Sequence, residues 1–265
     1  MLTFRRFSFA SIFLVSSDLP RQLNSSLRDW WREHTRTLGR LGTASLLIRE
    51  LFGFLRDSTP ARRRSRYGDL DYDWEQRVNT TAGSVDWRTR LLGVLHSPYQ
   101  PTEPVLFRTM MAALPVDFHE FTFIDIGSGK GRALLLAAEY PFTKIIGVEL
   151  IADLHRAAEE NIAAWRAQSP ARQVAAIETL CMDAREFVFP ETPLVVYMFN
   201  PLPEAGLRAV VRNLEESWKR APRAVWIVYH NPLLEGVLAE SGLFVKERGE
   251  LEYSVFKMRY MKLSR

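Results

Sequence analysis

Cysteine occurs once in these 265 residues, at Cys181, which excludes an internal disulfide and fits a reducing compartment. Histidine is sparse too: His34, His96, His119, His155 and His230 stand at no ligand spacing from cysteine or acid, so no metal is expected. Internal repeats and long low-complexity tracts are absent. The apolar run Phe7 to Val15 follows Arg5 and Arg6 in the manner of a signal peptide, yet its nine residues fall short of the roughly twenty that span a bilayer. No small-residue cleavage site follows it, so the run reads as a peripheral anchor or an unordered start. Lysine is rare, at 6 of the 35 basic residues.

What charge there is divides unevenly. Residues 1–68 hold 13 arginines, no lysine and 5 acids, a net +8, whereas the rest of the chain sums to −4. Arg28, Arg32, Arg36 and Arg40 recur every fourth residue beside Leu27, Trp31, Leu38 and Leu41, which predicts a basic stripe on an amphipathic helix. A second, broadly apolar helix is expected over 44–55, and Ser58 to Gly68, with four arginines, reads as a linker. The extension either directs the chain to an acidic surface (nucleic acid, membrane or protein) or caps the domain that follows. Residues 69–98 connect the two parts. Trp74, Val78, Val85, Trp87, Leu91, Leu92 and Leu95 can pack on that domain, and Asn79-Thr80-Thr81 can reach its cleft. With 47% hydrophobic residues, the chain can bury one large core plus an extension.

The densest information lies between Phe123 and Arg132. Phe121, Phe123, Ile124 and Ile126 make a short aromatic and β-branched run of the kind that forms a buried parallel strand. Gly127, Gly129 and Gly131 then allow a sharp turn and close approach to a ligand. Ala133 to Ala138 continues as an apolar helix. Strand, glycine loop and helix together place a binding loop at the carboxyl edge of an α/β sheet.

Three kinds of loop compete for this pattern. A P-loop needs Gly-Lys-Ser/Thr after a four-residue gap, and Lys130 is followed by Gly131 and Arg132. The dinucleotide fingerprint needs Gly-x-Gly-x-x-Gly, not the alternate spacing found here. Asp125, two residues before the first glycine, would repel a pyrophosphate but suits a ligand that carries an ammonium group, as the methionine part of S-adenosylmethionine does. A second strand, Lys144 to Val148, ends in Glu149, whose carboxylate can accept both ribose hydroxyls. A third, Ala176 to Leu180, leads to Asp183, which can accept an adenine amine.

Residues 99–260 resemble the Rossmann-like, seven-strand (class I) S-adenosylmethionine-dependent methyltransferases, through Asp125 to Gly131, Glu149 and Asp183. The resemblance implies an α/β fold with a seven-strand mixed sheet flanked by helices, here preceded by an N-terminal helical extension, and a domain over 99–265. It implies S-adenosyl-L-methionine as cofactor, held by Tyr99, Asp125, Gly127, Ser128, Gly129, Gly131, Glu149, Leu150, Asp183, Ala184 and Asn200. Gly-Ser-Gly-x-Gly, Gly147 to Glu149 and Tyr99-Gln-Pro-Thr102 are similar to sequences of some seven-strand protein-lysine methyltransferases. Such an enzyme draws its cofactor from the cytoplasm, where the chain is expected, with peripheral membrane contact through its start.

Acceptor chemistry is expected beyond a fourth strand, Leu194 to Phe199, which stops at Asn200-Pro201-Leu202-Pro203. This resembles the Asn-Pro-Pro-aromatic motif of amino methyltransferases, with Leu202 and Pro203 departing from it. That implies Asn200 and Pro201 as groups that orient an amine for in-line attack; the alternative is a tight turn. A fifth strand, Ala224 to Tyr229, ends in His230, either an exposed base or the cap of a turn. Tyr197 and Tyr229 either line the cleft or are buried by alternation. Methyl transfer to an amine, with protein lysine as one acceptor class, stands against a cofactor-binding scaffold that engages a partner through its basic extension.

The rest agrees with that fold. Leu150, Leu154, Ala158, Ile162 and Trp165, and Leu207, Val210, Val211, Leu214 and Trp218, recur at helical spacing as core faces. Thr102 can cap a helix that contains Pro104 in its first turn and runs to Ala113. Residues 244–247 and 252–260 read as a final hairpin with Phe256, Met258 and Tyr260 on one face.

Overall fold

Strands β1 (Thr122–Ile126), β2 (Lys144–Glu149), β3 (Ala176–Cys181), β4 (Leu194–Phe199) and β5 (Val225–His230) run parallel, and a terminal hairpin of β6 (Phe244–Gly249) and β7 (Tyr253–Met258) completes the sheet. The computed structural model describes residues 28, 31, 32, 35, 36, 39–48, 70–81, 101–168 and 176–259. Strand order is β3-β2-β1-β4-β5-β7-β6, with β7 antiparallel to both neighbours. This is the seven-strand mixed sheet that the resemblance implied. The helices are α1 (Leu70–Glu75), α2 (Pro104–Ala112), α3 (Arg132–Ala137), α4 (Ala152–Gln168), α5 (Glu204–Arg220) and α6 (Gly236–Glu240).

Alternation along the strands sorts side chains onto two faces. Ile124, Ile126, Ile146, Val148, Val196, Met198 and Ile227 enter one core with Leu207, Val210, Val211, Leu214 and Trp218 of α5. Phe123, Ile145, Val195 and Val228 enter the other with Phe107, Met110 and Met111 of α2 and the apolar residues of α3. All five residues of β1 are buried, and the strand is apolar apart from Thr122 and Asp125. Each fully buried Phe or Ile contributes about 2 kcal/mol to folding. The same alternation puts Asp125 on the α2 side, in register with Tyr197 of β4.

Several local expectations are corrected. Glu103, not Thr102, caps α2, its carboxylate accepting from the N–H groups of Val105 and Leu106 at 3.3 and 3.0 Å. Thr102 is buried and directed elsewhere. Trp74, expected to pack, is 87% exposed, whereas Val78 does pack against the α2-side core.

By its contacts the chain divides into two compact units, Met1–Phe54 and Leu55–Arg265. In the first, the described residues are helical; Arg28, Arg32, Arg36 and Arg40 are exposed and Trp31 is half-buried, but Leu41 and Ile48, expected on apolar faces, are exposed as well. The start of the chain, the linker at 58–68, Val85, Trp87, Leu91, Leu92, Leu95, Tyr99 and Tyr260 lie outside the described residues. Among the described residues, no helix is long and apolar enough to cross a membrane, and no cluster of His, Cys, Asp or Glu could hold a metal.

Candidate active site

β1 has β2 on one side and β4 on the other, so the sheet's order reverses there, and a crevice opens beyond the carboxyl ends of these strands. It holds about 920 Å³ of empty space, the open solvent at its mouth included. Asp125, Gly127, Ser128, Gly129 and Glu149 form its polar wall; Leu150, Ile151, Leu154, Met182 and Ala184 form an apolar one.

The glycine loop is built for close approach. Gly127, Gly129 and Gly131 have φ of 78°, 54° and 84°, a region that side chains disfavour. At Gly127 a Cβ would also lie 2.5 Å from Cβ of Pro201, so Pro201 closes over the loop only because no side chain is there. Ser128 Oγ is buried with no hydrogen-bond partner among the described residues.

The two acids on the wall differ in how they are held. Glu149 accepts the N–H of Gly129 and that of Ile151, each at 2.8 Å and each on a different oxygen. Burial raises its pKa and those N–H groups oppose the rise. The Leu150 N–H also lowers it, and the acceptor capacity that remains on the carboxylate faces the crevice. Asp125 is 2% exposed, and its carboxylate has no hydrogen bond or ion pair among the described residues. Burial, with repulsion from Glu149 second, holds its pKa well above the usual carboxylate range. A cation placed in the crevice would be attracted to both.

Asp183 also lines the crevice, but its carboxylate is engaged. It accepts from the Arg185 N–H at 2.9 Å and pairs with the Arg185 guanidinium at 2.6–3.0 Å. Asp183, expected as an acceptor for adenine, thus caps its own turn and holds Arg185. Ala184 and Leu150 line the crevice as expected, and Gly131 serves as N-cap of α3.

On the β4 and β5 side the polar groups meet each other. Asn200 has φ 43° and its Oδ1 accepts the Tyr229 hydroxyl at 2.9 Å, so the oxygen expected to orient an amine is already bonded. Asn200 does not line the crevice, whereas Phe199, Pro201 and Leu202 do. The left-handed turn at Asn200 delivers the latter two to it.

His230, read as either an exposed base or the cap of a turn, is buried, 6% exposed, and absent from the crevice wall, so the exposed base is excluded. Its ring stacks on Phe199 at 3.7 Å between centroids, and its Nδ1 is 2.8 Å from the Tyr197 hydroxyl. Burial lowers its pKa to about 4, so the ring is neutral at pH 7. Tyr197 does reach the crevice, and its hydroxyl also meets Thr102 Oγ1 at 2.8 Å. Burial raises its pKa well above 10.0. This Thr102–Tyr197–His230 chain was not read from the sequence. The signal available was the equal parity of Asp125 and Tyr197 on adjacent strands.

No protein-family model matches the chain, and no curated protein matches it. Solved structures do. An RNA methyltransferase from Salinibacter ruber, in complex with S-adenosyl-L-homocysteine, is similar over 60% of this chain and 92% of its own, at 18% identity and TM-score 0.39. The ribosomal protein L11 methylase of Lactobacillus delbrueckii subsp. bulgaricus matches over 59% of this chain and 75% of its own, at 17% identity and TM-score 0.39. The mitomycin 7-O-methyltransferase MmcR matches over 58% and 53%, at 15% identity and TM-score 0.43. In its strand order and layers, the chain has the Rossmann-like seven-strand fold that the resemblance to class I S-adenosylmethionine-dependent methyltransferases implied.

Proposed function

We propose that the crevice binds S-adenosyl-L-methionine and that the chain is a methyltransferase acting on an amine nitrogen, with a protein lysine side chain as acceptor class. The observation that carries the cofactor is the buried carboxylate of Asp125, without a partner, beside the glycine loop. An ammonium group placed there satisfies it. The remaining acceptor capacity of Glu149 suits a vicinal diol, Ser128 Oγ supplies a further polar contact, and Leu150, Ile151, Leu154 and Met182 suit a flat aromatic base. When bound, this cofactor supplies a methyl group activated by a sulfonium and open to in-line displacement.

For that displacement the chain's own residues chiefly position and desolvate. Phe199, Pro201 and Leu202 give the acceptor side an apolar wall suited to the methylene stem of a lysine. The Tyr197 hydroxyl, fixed by Thr102 and His230, is the polar group on that side and serves as the orienting contact for the nitrogen. Asn200 acts through its backbone turn. The exposed arginines at 28, 32, 36 and 40 support a further part of the reading, that the extension over 1–68 recognises an acidic surface.

Incubation with tritiated cofactor tests the reaction: label is expected in protein and recovered as methyl-lysine after hydrolysis. Recovery in RNA or in a small molecule instead would overturn the acceptor. One observation favours a second reading, a cofactor-binding scaffold: Asn200, Tyr229 and His230 spend their polar groups on one another or on Tyr197. Tight binding of S-adenosyl-L-homocysteine with no transfer into any lysate fraction would select it.

A further inference from the structure

The glycine loop has a second side, and the segment before the domain is fastened to it. Arg132, the first residue of α3, is 2% exposed, although a charged side chain in a wholly buried helix is costly unless paired. Asp73 of α1 is a charged partner. The guanidinium donates to Asp73 Oδ1 at 2.9 Å and to Thr80 Oγ1 at 2.6 Å, and it lies 4.7 Å from the centre of the Tyr72 ring. Asp73 Oδ2 in turn accepts the N–H groups of Thr80 and Thr81, both at 2.8 Å, and Thr80 Oγ1 donates to Oδ1.

Two more ties join the same partners. Lys130, between the second and third glycines, is 3% exposed and donates through Nζ to the Thr81 carbonyl at 2.8 Å. The Asn161 amide of α4 bridges both segments: it donates to the carbonyls of Lys130 and Asn79 at 3.0 and 3.1 Å and accepts the Asn79 N–H at 2.7 Å. The loop thus has one side in the crevice, at Gly127, Ser128 and Gly129, and the other clamped by residues 73–81. Neither Asp73 nor Thr80 nor Thr81 lines the crevice. Arg132 does both: it lines the crevice and holds Asp73.

We propose that Asp73 is a positioning residue for the cofactor site: through Arg132 and Thr80 it holds the glycine loop in the shape that receives the cofactor. This rests on the reading that the crevice binds S-adenosylmethionine. Because such coupling is reciprocal, ligand binding must also tighten the clamp. Its chemistry demands a carboxylate at position 73. An amide replaces one acceptor by a donor facing donors and removes the negative charge that Asp73 sets against the buried guanidinium.

The test is calorimetric titration of the full chain with S-adenosyl-L-homocysteine, joined to amide hydrogen exchange. Asp73→Asn should weaken binding by roughly tenfold and the milder Thr80→Val by about threefold, while Trp74→Ala, at an exposed neighbour, should not change it. In the wild-type chain the ligand should slow exchange at Thr80 and Thr81, a response that needs no variant to fold and that a merely structural contact does not give. Unchanged exchange there, or equal affinity of wild type and Asp73→Asn, overturns the proposal. A wild-type chain that does not bind the ligand overturns the cofactor reading first and the clamp with it, a result distinct from either.

Discussion

At the carboxyl ends of β1 and β2, the polar side chains face the crevice; at those of β4 and β5, they face each other. Asp125 and Glu149 keep acceptor capacity for a ligand, and the glycines keep the backbone open. Tyr229 bonds Asn200, and His230 bonds Tyr197. The comparison teaches that polar residues at equivalent strand ends do different work according to the parity of the residue and the partner next door. The first half is a binding surface, the second a braced wall from which Tyr197 alone of these four reaches the crevice.

Asp125 gives the sharpest way to break that division. Asp125→Ala should weaken S-adenosyl-L-homocysteine binding by about 3 kcal/mol, roughly a hundredfold, since it removes one partner of a buried charge contact. The ligand-free chain should respond in the opposite sense. Because burial raises this pKa in the fold, its contribution to stability is full below the unfolded value of 3.8 and is lost as pH rises through the folded one. Asp125→Asn should therefore melt higher than wild type at pH 7 and flatten that pH dependence. An equal melting temperature would mean that the acid is solvated or paired.

His230 tests the other half. With its pKa lowered from 6.5 to about 4, its contribution is present above pH 6.5 and lost as pH falls through 4. The loss amounts to about 3 kcal/mol, read from thermal melts of wild type against His230→Phe. A ring titrating near 6.5 by NMR would restore it as an exposed base and erase the contrast between the halves.

Gly127 joins the two halves, because Pro201 of the β4 side packs on it. Gly127→Ala should cost about 2 kcal/mol of stability and lower cofactor affinity as well, from crowding and a disfavoured φ. The smallest effect is expected at Tyr229→Phe. Loss of its bond to Asn200 should cost about 1 kcal/mol and leave cofactor binding unchanged, whereas a large change in affinity would put Asn200 in the binding surface.

The difference between the halves also explains what could be read in advance. The strands, the glycine loop and the acids at 125 and 149 were legible because each depends on a few neighbouring residues: apolar runs, glycine conformations, a carboxylate at a strand end. The partners of Asp183 and Asn200 were not legible for a related reason. A carboxylate or amide at a loop looks available in sequence, and only its neighbours in space, Arg185 and the Tyr229 hydroxyl, show otherwise. The polar run Asn79 to Thr81 was expected at the cleft and instead grips the outer side of its loop. Arg132, a charge amid Gly131 and five buried apolar residues, was the available sign that an acid must come from elsewhere.

By itself, then, the sequence determined a parallel α/β sheet with a glycine loop and two acids at its carboxyl edge, because backbone conformation and strand parity are local properties. Tertiary structure decided which polar groups remain open to a ligand, that His230 is buried and neutral, and that Asp73 meets Arg132 across 59 positions. Burial, desolvation and the pairing of charges depend on what lies alongside in space, and no local pattern of residues carries that information.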